Sequence, residues 1–243
     1  MKIIKYQESY SSVNLRRLAL PFAVWLSALG FLVALLFLSL FVPSIQKYWL
    51  LLSIFTILLF ASSKNHINRL IYQIRTFRFG KRGEDTVVKE LSKHLDDSYI
   101  YVENYQIPNT RIGDIDGLLI GPKGVIILEV KNYNGVFRIS GPDMYRRLRG
   151  DIYKLYERSP FEQTIRQKEY LTKFLREKGV DTHVIPTVVL VTGKINAISG
   201  ETGVFIAEIN KLTNHIFEMS QVSQWSPEFS EKTIAALGLK GQK

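Results

Sequence analysis

Between residues 113 and 135 the chain reads GDIDGLLIGPKGVIILEVKNYNG, an apolar stretch broken by Asp114, Asp116, Glu129 and Lys131. Two short apolar runs meet at Gly121-Pro-Lys-Gly124, where glycines accept positive φ and proline fixes its neighbour, so they read as a hairpin of two strands. Side chains alternate along a strand, so Glu129 and Lys131 share one face with Val125 and Ile127, while Ile126, Leu128 and Val130 point the other way. Asp114 and Asp116 likewise share a face, and the turn brings Asp114 or Asp116 across from Glu129. Two carboxylates converging on a sheet face repel unless they share a cation. Mg²⁺ (or Mn²⁺) suits them, since it takes hard oxygen ligands and keeps several waters. A neighbouring lysine can polarise a water or steady charge that develops on a phosphorus centre. The spacing itself is ordinary, because 22 acidic residues and 18 lysines in 243 make an acidic-x-lysine triplet common. A solvated ion pair across a hairpin is the competing explanation.

The elements around this pair set its position. GEDTVVKELSKHL, from residue 83, places Val87, Val88, Leu91 and Leu95 on a helical period, and SYIYVEN, from residue 98, reads as a strand. GVFRIS continues the hairpin as a further strand of one meander, and residues 144 to 156 form a basic hairpin pivoting near Gly150. Residues 159 to 179 predict a helix with Ser159 as N-cap, Pro160 at its first position, Glu162 closing a capping box and Gly179 as the stop. VIPTVVLVTG is a buried strand, GVFIAE a short one, and residues 208 to 219 and 227 to 238 are terminal helices. The expected fold class is α/β, a mixed sheet flanked by helices.

Charge divides the chain unevenly. Residues 1 to 82 hold 11 of the 32 basic residues and one of the 22 acidic ones, so the formal net charge of +10 resides there and the remainder carries 21 of each sign. A high pI therefore says nothing about the partner of residues 83 to 243. Cysteine is absent, which excludes disulfides, thiolate zinc sites and a cysteine nucleophile. Residues 18 to 42 are uncharged over 25 positions, more than the roughly 20 that cross a bilayer as a helix. A second apolar run from 48 to 63 reaches spanning length when extended back to Ile45 with Lys47 snorkelling. With PSIQK between them, the two form a transmembrane helical hairpin over 18 to 63. The basic flanks put both termini in the cytoplasm, so the protein is expected to be a multi-pass component of the cytoplasmic membrane. Residues 1 to 17 are then a basic cytoplasmic N-terminus and 64 to 82 a basic amphipathic helix lying at an anionic leaflet.

The run GDIDGLLIGPKGVIILEVKNYNG resembles the nuclease-related domain, NERD, a branch of the PD-(D/E)xK restriction-endonuclease-like superfamily. The resemblance covers about residues 80 to 190 of a domain spanning 83 to 243. GKRGED resembles the family's G-x-x-G-E helix start and SPFEQ its N-P-x-x-Q. The resemblance implies Asp116 and Glu129 as metal ligands, Lys131 as the catalytic lysine, Glu84 as an accessory acidic residue and Gln163 as a helix residue reaching the site. It departs at Gly117, where many relatives have histidine, and at Ser159, where many have asparagine. Without the resemblance, Glu84 reads as a charge favoured by a helix N-terminus and Gln163 as an exposed helix residue. The function implied is a membrane-anchored, Mg²⁺-dependent nuclease acting on DNA, with a catalytically silent nucleic-acid- or protein-binding module as the alternative. Partners expected are DNA, a lipid bilayer and a second copy of the chain. Arg138, Arg146, Arg147, Arg149, Lys154 and Arg158, interleaved with Tyr145, Tyr153 and Tyr156, could track a nucleic-acid backbone, or form only a solvated basic hairpin. No G-x-S-x-G elbow, Walker A loop, G-x-G-x-x-G or H-E-x-x-H is present.

Overall fold

A computed structural model describes every residue except 9, 158, 222–224 and 240–243, so Arg158 lies outside the described residues. The chain divides into two units, residues 1–9 with 80–243, and residues 10–79. In the second unit, α1 (Tyr10–Leu38) contains Ser12–Leu38, the one stretch among the described residues long and apolar enough to cross a bilayer, with mean hydropathy 2.3. The turn of helix α2 (Pro43–Gln46) follows. The expected second span is shorter than the reading above: its apolar part is Trp49–Ala61, because polar residues begin at Ser62. That stretch opens α3 (Trp49–His94), one continuous helix of 46 residues in which the amphipathic segment from 64 and the helix from 83 are not separate elements. No proline interrupts residues 49 to 94, so nothing in the backbone chemistry forces a break there.

The first unit is mixed α/β with two mixed sheets. The larger runs β1 (Lys2–Lys5), β2 (Ile100–Tyr105), β3 (Ile115–Gly121), β4 (Gly124–Lys131), β8 (Val184–Leu190) and β10 (Phe205–Glu208) in that spatial order. β2, β3 and β4 are antiparallel neighbours, while β1 joins β2, and β8 joins both β4 and β10, in parallel. The smaller sheet runs β7 (Ile152–Leu155), β6 (Asp143–Arg149), β5 (Val136–Ser140) and β9 (Lys194–Ser199). β5 is thus not the next strand of the meander. β4 is buried on both faces and takes β8 as its other neighbour, and Gly135 at φ +125° turns the chain away into the second sheet.

The buried stripe of α4 (Phe161–Glu177), Phe161, Thr164, Gln167, Leu171 and Leu175, recurs every three or four residues, and part of it packs with Leu118, Ile120, Val125 and Ile127. The expected capping box does not form. Glu162 faces Arg166 at 3.8 Å and Ser159 Oγ accepts from the Phe161 N–H only at 3.4 Å, so the helix begins at Phe161. On the opposite face of the large sheet Val87 and Leu91 of α3 pack with Leu119, Ile126 and Leu128. α5 (Ile209–Glu218) and α6 (Pro227–Ala236) complete the unit.

Candidate active site

The charged pair sits at the C-terminal end of β4, in the middle of the large sheet. Glu129 is 1% exposed, in register with Val188 of β8, and Lys131 Nζ donates to its Oε1. From β3, Asp116 arrives beside them, and its Oδ2 accepts the Val130 N–H at 2.8 Å. That bond fixes which aspartate converges on Glu129. The Asp114 carboxylate is instead hydrogen-bonded with the Gln7 side chain, and its backbone carbonyl accepts from Gln167 Nε2 at 3.0 Å. Gln163, from the first turn of α4, donates Nε2 to Glu129 Oε2 at 3.3 Å. Four of the expected residues therefore meet at one point, drawn from two strands and a helix.

Electrostatics at this point is strained in a specific sense. Burial and the neighbouring Glu129 push the Asp116 carboxyl well above its ordinary range, only partly offset by Lys131 and the Val130 N–H. Burial pulls the Lys131 ammonium down, but Glu129 and Asp116 outweigh it and hold that group above its ordinary value. Lys131 consequently carries its proton and acts here as a cationic donor.

Glu84 belongs to the same field. It lies deep inside α3, so a helix N-terminus does not account for it. Burial pushes its carboxyl up, partly countered by Lys81, and its charge in turn raises Asp116. Glu84 Oε2 is buried without a hydrogen-bond donor, Lys81 Nζ standing 3.7 Å away. What holds this turn of α3 against the sheet is Gly83: a Cβ there would come within 2.9 Å of Asn132 Cβ. Asn132 is fixed by Thr192 Oγ1, which donates to Asn132 Oδ1 at 3.0 Å.

Tyr101, Glu103 and Gln167 join the site without having been anticipated. Tyr101 is buried, and a Cβ at Gly117 would fall 2.1 Å from its Oη, so the phenol fills the space a side chain at 117 would need. Burial, then Asp116, Glu103 and Glu84, push its pKa up, so the phenol stays neutral. Glu103 pairs across β2 and β3 with Gly117. Gln167 is fully buried and braces the Asp114 carbonyl. Its signal was a polar residue inside an apolar helical stripe, whereas Tyr101 and Glu103 left none in a single sequence.

Residues 79–191 match the family model described as the nuclease-related domain. This segment is a NERD domain. No curated protein and no solved structure matches the chain. The NERD segment contains Glu84, Asp116, Glu129, Lys131 and Gln163, and it ends one residue beyond β8, the strand that flanks Glu129.

Among the described residues no group of three or more His, Cys, Asp or Glu side chains closes on a single point as a ready metal centre. The donor set of the NERD domain nonetheless fits a hard divalent cation that retains most of its waters. Asp116 and Glu129 repel each other, and Glu84 offers a buried oxygen with no donor.

Proposed function

We propose that this protein is a membrane-attached, metal-dependent nuclease that hydrolyses phosphodiester bonds in DNA through Asp116, Glu129 and Lys131. One observation carries the reading: within a NERD domain, the buried Glu129 carboxylate and the half-buried Asp116 carboxylate stand side by side with an ammonium on Glu129. The order helix, three-strand meander, helix, parallel strand (α3, β2 to β4, α4, β8) supports a restriction-endonuclease-like core. Asp116 and Glu129 would hold Mg²⁺ or Mn²⁺, with Glu84 an accessory carboxylate in the same field; the ion when bound would neutralise charge on the phosphate and lower the pKa of a bound water. Lys131, whose ammonium donates to Glu129 Oε1, is placed to donate to an oxygen of the phosphate as negative charge builds there. Gln163 holds the free oxygen of Glu129, so that its carboxylate keeps one orientation. The full chain in detergent should cleave DNA with Mg²⁺ or Mn²⁺, and undiminished cleavage by Glu129→Ala or Lys131→Ala would overturn the assignment.

Membrane attachment through two crossings is supported by β1, and the placement of both ends in the cytoplasm by the basic flanks at residues 1–17 and 64–82. This strand precedes α1 yet pairs with β2, so the segment 10–79 leaves one folded unit and returns to it. A segment whose two ends lie in the same body crosses a bilayer an even number of times. α1 supplies one crossing, and Trp49–Ala61, about 20 Å of helix and lengthened by its flanks, supplies the return. The chain has no cysteine, so single substitutions report topology cleanly. In intact cells an impermeant maleimide should label Ser44→Cys and spare Ser199→Cys; the reverse, or labelling of both, would refute the arrangement.

A catalytically silent module is the second reading, favoured by the Lys131 to Glu129 pair, which neutralises one carboxylate without a metal. Calorimetric titration with Mg²⁺ in the presence of DNA separates the two, because the silent module takes up no ion.

A further inference from the structure

The small sheet β7-β6-β5-β9 turns Phe137, Ile139 and Met144 into the core, where they are at most 1% exposed. Its other face carries Arg138, Tyr145, Arg147 and Tyr153. The register fixes this: Arg138 pairs with Tyr145 and with Ala197, and Arg147 with Tyr153. Arg138 is exposed, yet it does not wave in solvent. Its guanidinium lies 4.7 Å from the Tyr153 ring centre and 5.7 Å from that of Tyr145. Tyr153 is itself held from the far edge of the sheet, where Asn196 Nδ2 donates to its hydroxyl at 3.0 Å.

This arrangement is unusual for a solvated charge. A free surface arginine loses rotamer freedom when it engages a ligand. Here two tyrosines and an asparagine have already restricted it. Arg147 lies on the same face, Ala197 beside Arg138 adds no bulk, and Arg146 and Lys154, paired with each other, project to the other face of the hairpin. Among the described residues of the hairpin and its flanks the acidic ones are Asp143 where β6 starts, Asp151 in the turn and Glu157 just past β7. A guanidinium plane flanked by aromatic rings offers a phosphate fork at its edge and a stacking surface for an unpaired base, which a duplex does not present.

We infer that the outer face of the small sheet is a binding platform for single-stranded nucleic acid, with Arg138 as its phosphate contact and Tyr145 and Tyr153 as its aromatic frame. The inference rests on the nuclease reading for its choice of ligand and extends it to the substrate's strandedness. The platform is continuous with the candidate active site along the chain, since β4 ends at Lys131 and β5 starts at Val136.

The test is fluorescence anisotropy of the full chain in zwitterionic nanodiscs with EDTA, using labelled single-stranded DNA, single-stranded RNA and duplex DNA of about 16 nucleotides. Single strands should bind tighter than duplex, and Arg138→Ala and Tyr153→Ala should each weaken that binding about tenfold. Arg138→Lys should weaken it as well, because it keeps charge and loses the planar fork. Comparison of DNA with RNA identifies which strand the platform prefers. Wild-type binding by Arg138→Ala and Tyr153→Ala, equal losses on duplex, or full retention by Arg138→Lys would each overturn the platform. Cleavage of the same oligonucleotides with Mg²⁺ is scored separately. A wild type that binds without cutting sinks the nuclease reading alone, and one that cuts while the variants bind normally sinks the platform alone.

Discussion

Two charged regions of this protein obey opposite rules. At the end of β4, Glu129 is 1% exposed and shares its surroundings with Asp116 and Lys131. On the small sheet, Arg138, Arg146, Arg147 and Arg149 are all exposed. In the first region each charge depends on its neighbours, because an unpaired buried charge is costly. In the second, water solvates each charge and removing one costs little. Charge in the sheet interior is therefore diagnostic by its mere presence, while charge on the outer face becomes informative only through geometry, as with the ring-bracketed Arg138.

The sharpest contrast is the removal of one cation from each region. Lys131→Ala leaves the buried Glu129 carboxylate without its cation beside half-buried Asp116, and should cost about 3 kcal/mol of stability and about 10³-fold in cleavage. Arg147→Ala should change stability by less than about 0.5 kcal/mol. Chemical denaturation of both variants, with cleavage measured on the folded fraction, checks the pair; equal stability losses would erase the distinction drawn here.

The edges of the two sheets sharpen it further. Ile4 on β1 is 1% exposed and packs with Val102, whereas Ile198 on β9 is 51% exposed. Ile4→Ala should destabilise by about 2–4 kcal/mol, and Ile198→Ala should be near neutral. A fragment starting at residue 80 lacks β1 altogether, so it should melt below the full chain.

Glycine gives a third comparison. Gly117→Ala forces a methyl against the Tyr101 phenol and should cost about 1–3 kcal/mol or more. Gly150 in the β6–β7 turn has nothing within 4 Å of an added Cβ, so only its φ of +52° resists substitution. Gly150→Ala should cost about 1 kcal/mol. Thermal melts of the two variants decide the order.

These contrasts explain what could be read from the sequence. The β3–β4 hairpin was legible because its turn carries Gly121 and Gly124 and its strands are uninterrupted apolar runs. That Glu129 and Lys131 share a face with an aspartate of β3 across from them was legible from strand alternation, while the roles given to them came from the family resemblance and not from their spacing. β1 was missed because four residues, KIIK, carry almost no periodic signal, and the partner that makes them a strand lies about a hundred residues away. β9 was missed because none of its residues is fully buried. The departure of β5 into a second sheet was not legible either, since local pattern specifies a strand but not its neighbour. Position 117 shows the limit most clearly: its glycine is explained by Tyr101, a residue 16 positions earlier that alternation alone does not single out.

The pH dependence follows from the same crowding. Folding raises the affinity of Asp116 for its proton, so between its ordinary unfolded value, near 4, and its higher folded value the native state binds more protons than the unfolded one. Stability contributed by this group therefore falls as pH rises through that window. In EDTA, Asp116→Asn should melt higher than wild type at pH 8, with the gap closing toward pH 4. Mg²⁺ should narrow the gap at pH 8 by relieving the repulsion in wild type alone. A gap that is independent of pH would show that Asp116 is not the strained group.

Gln163 tests how finely the buried centre is tuned. Its bond to Glu129 Oε2 is long, at 3.3 Å, and other contacts already place that carboxylate: Lys131 on its other oxygen and β8 alongside the strand. A hydrogen bond of this kind contributes about 0.5–1.5 kcal/mol, so Gln163→Ala should reduce cleavage about three- to tenfold and leave KM unchanged. Gln163→Glu should be far worse, because it sets a third carboxylate against Glu129 and Asp116 in a place that already strains to hold two. If Gln163→Glu retains more activity than Gln163→Ala, then the limiting feature of this centre is a shortage of ligands for its cation, and the crowding of its carboxylates is relieved by the metal they share.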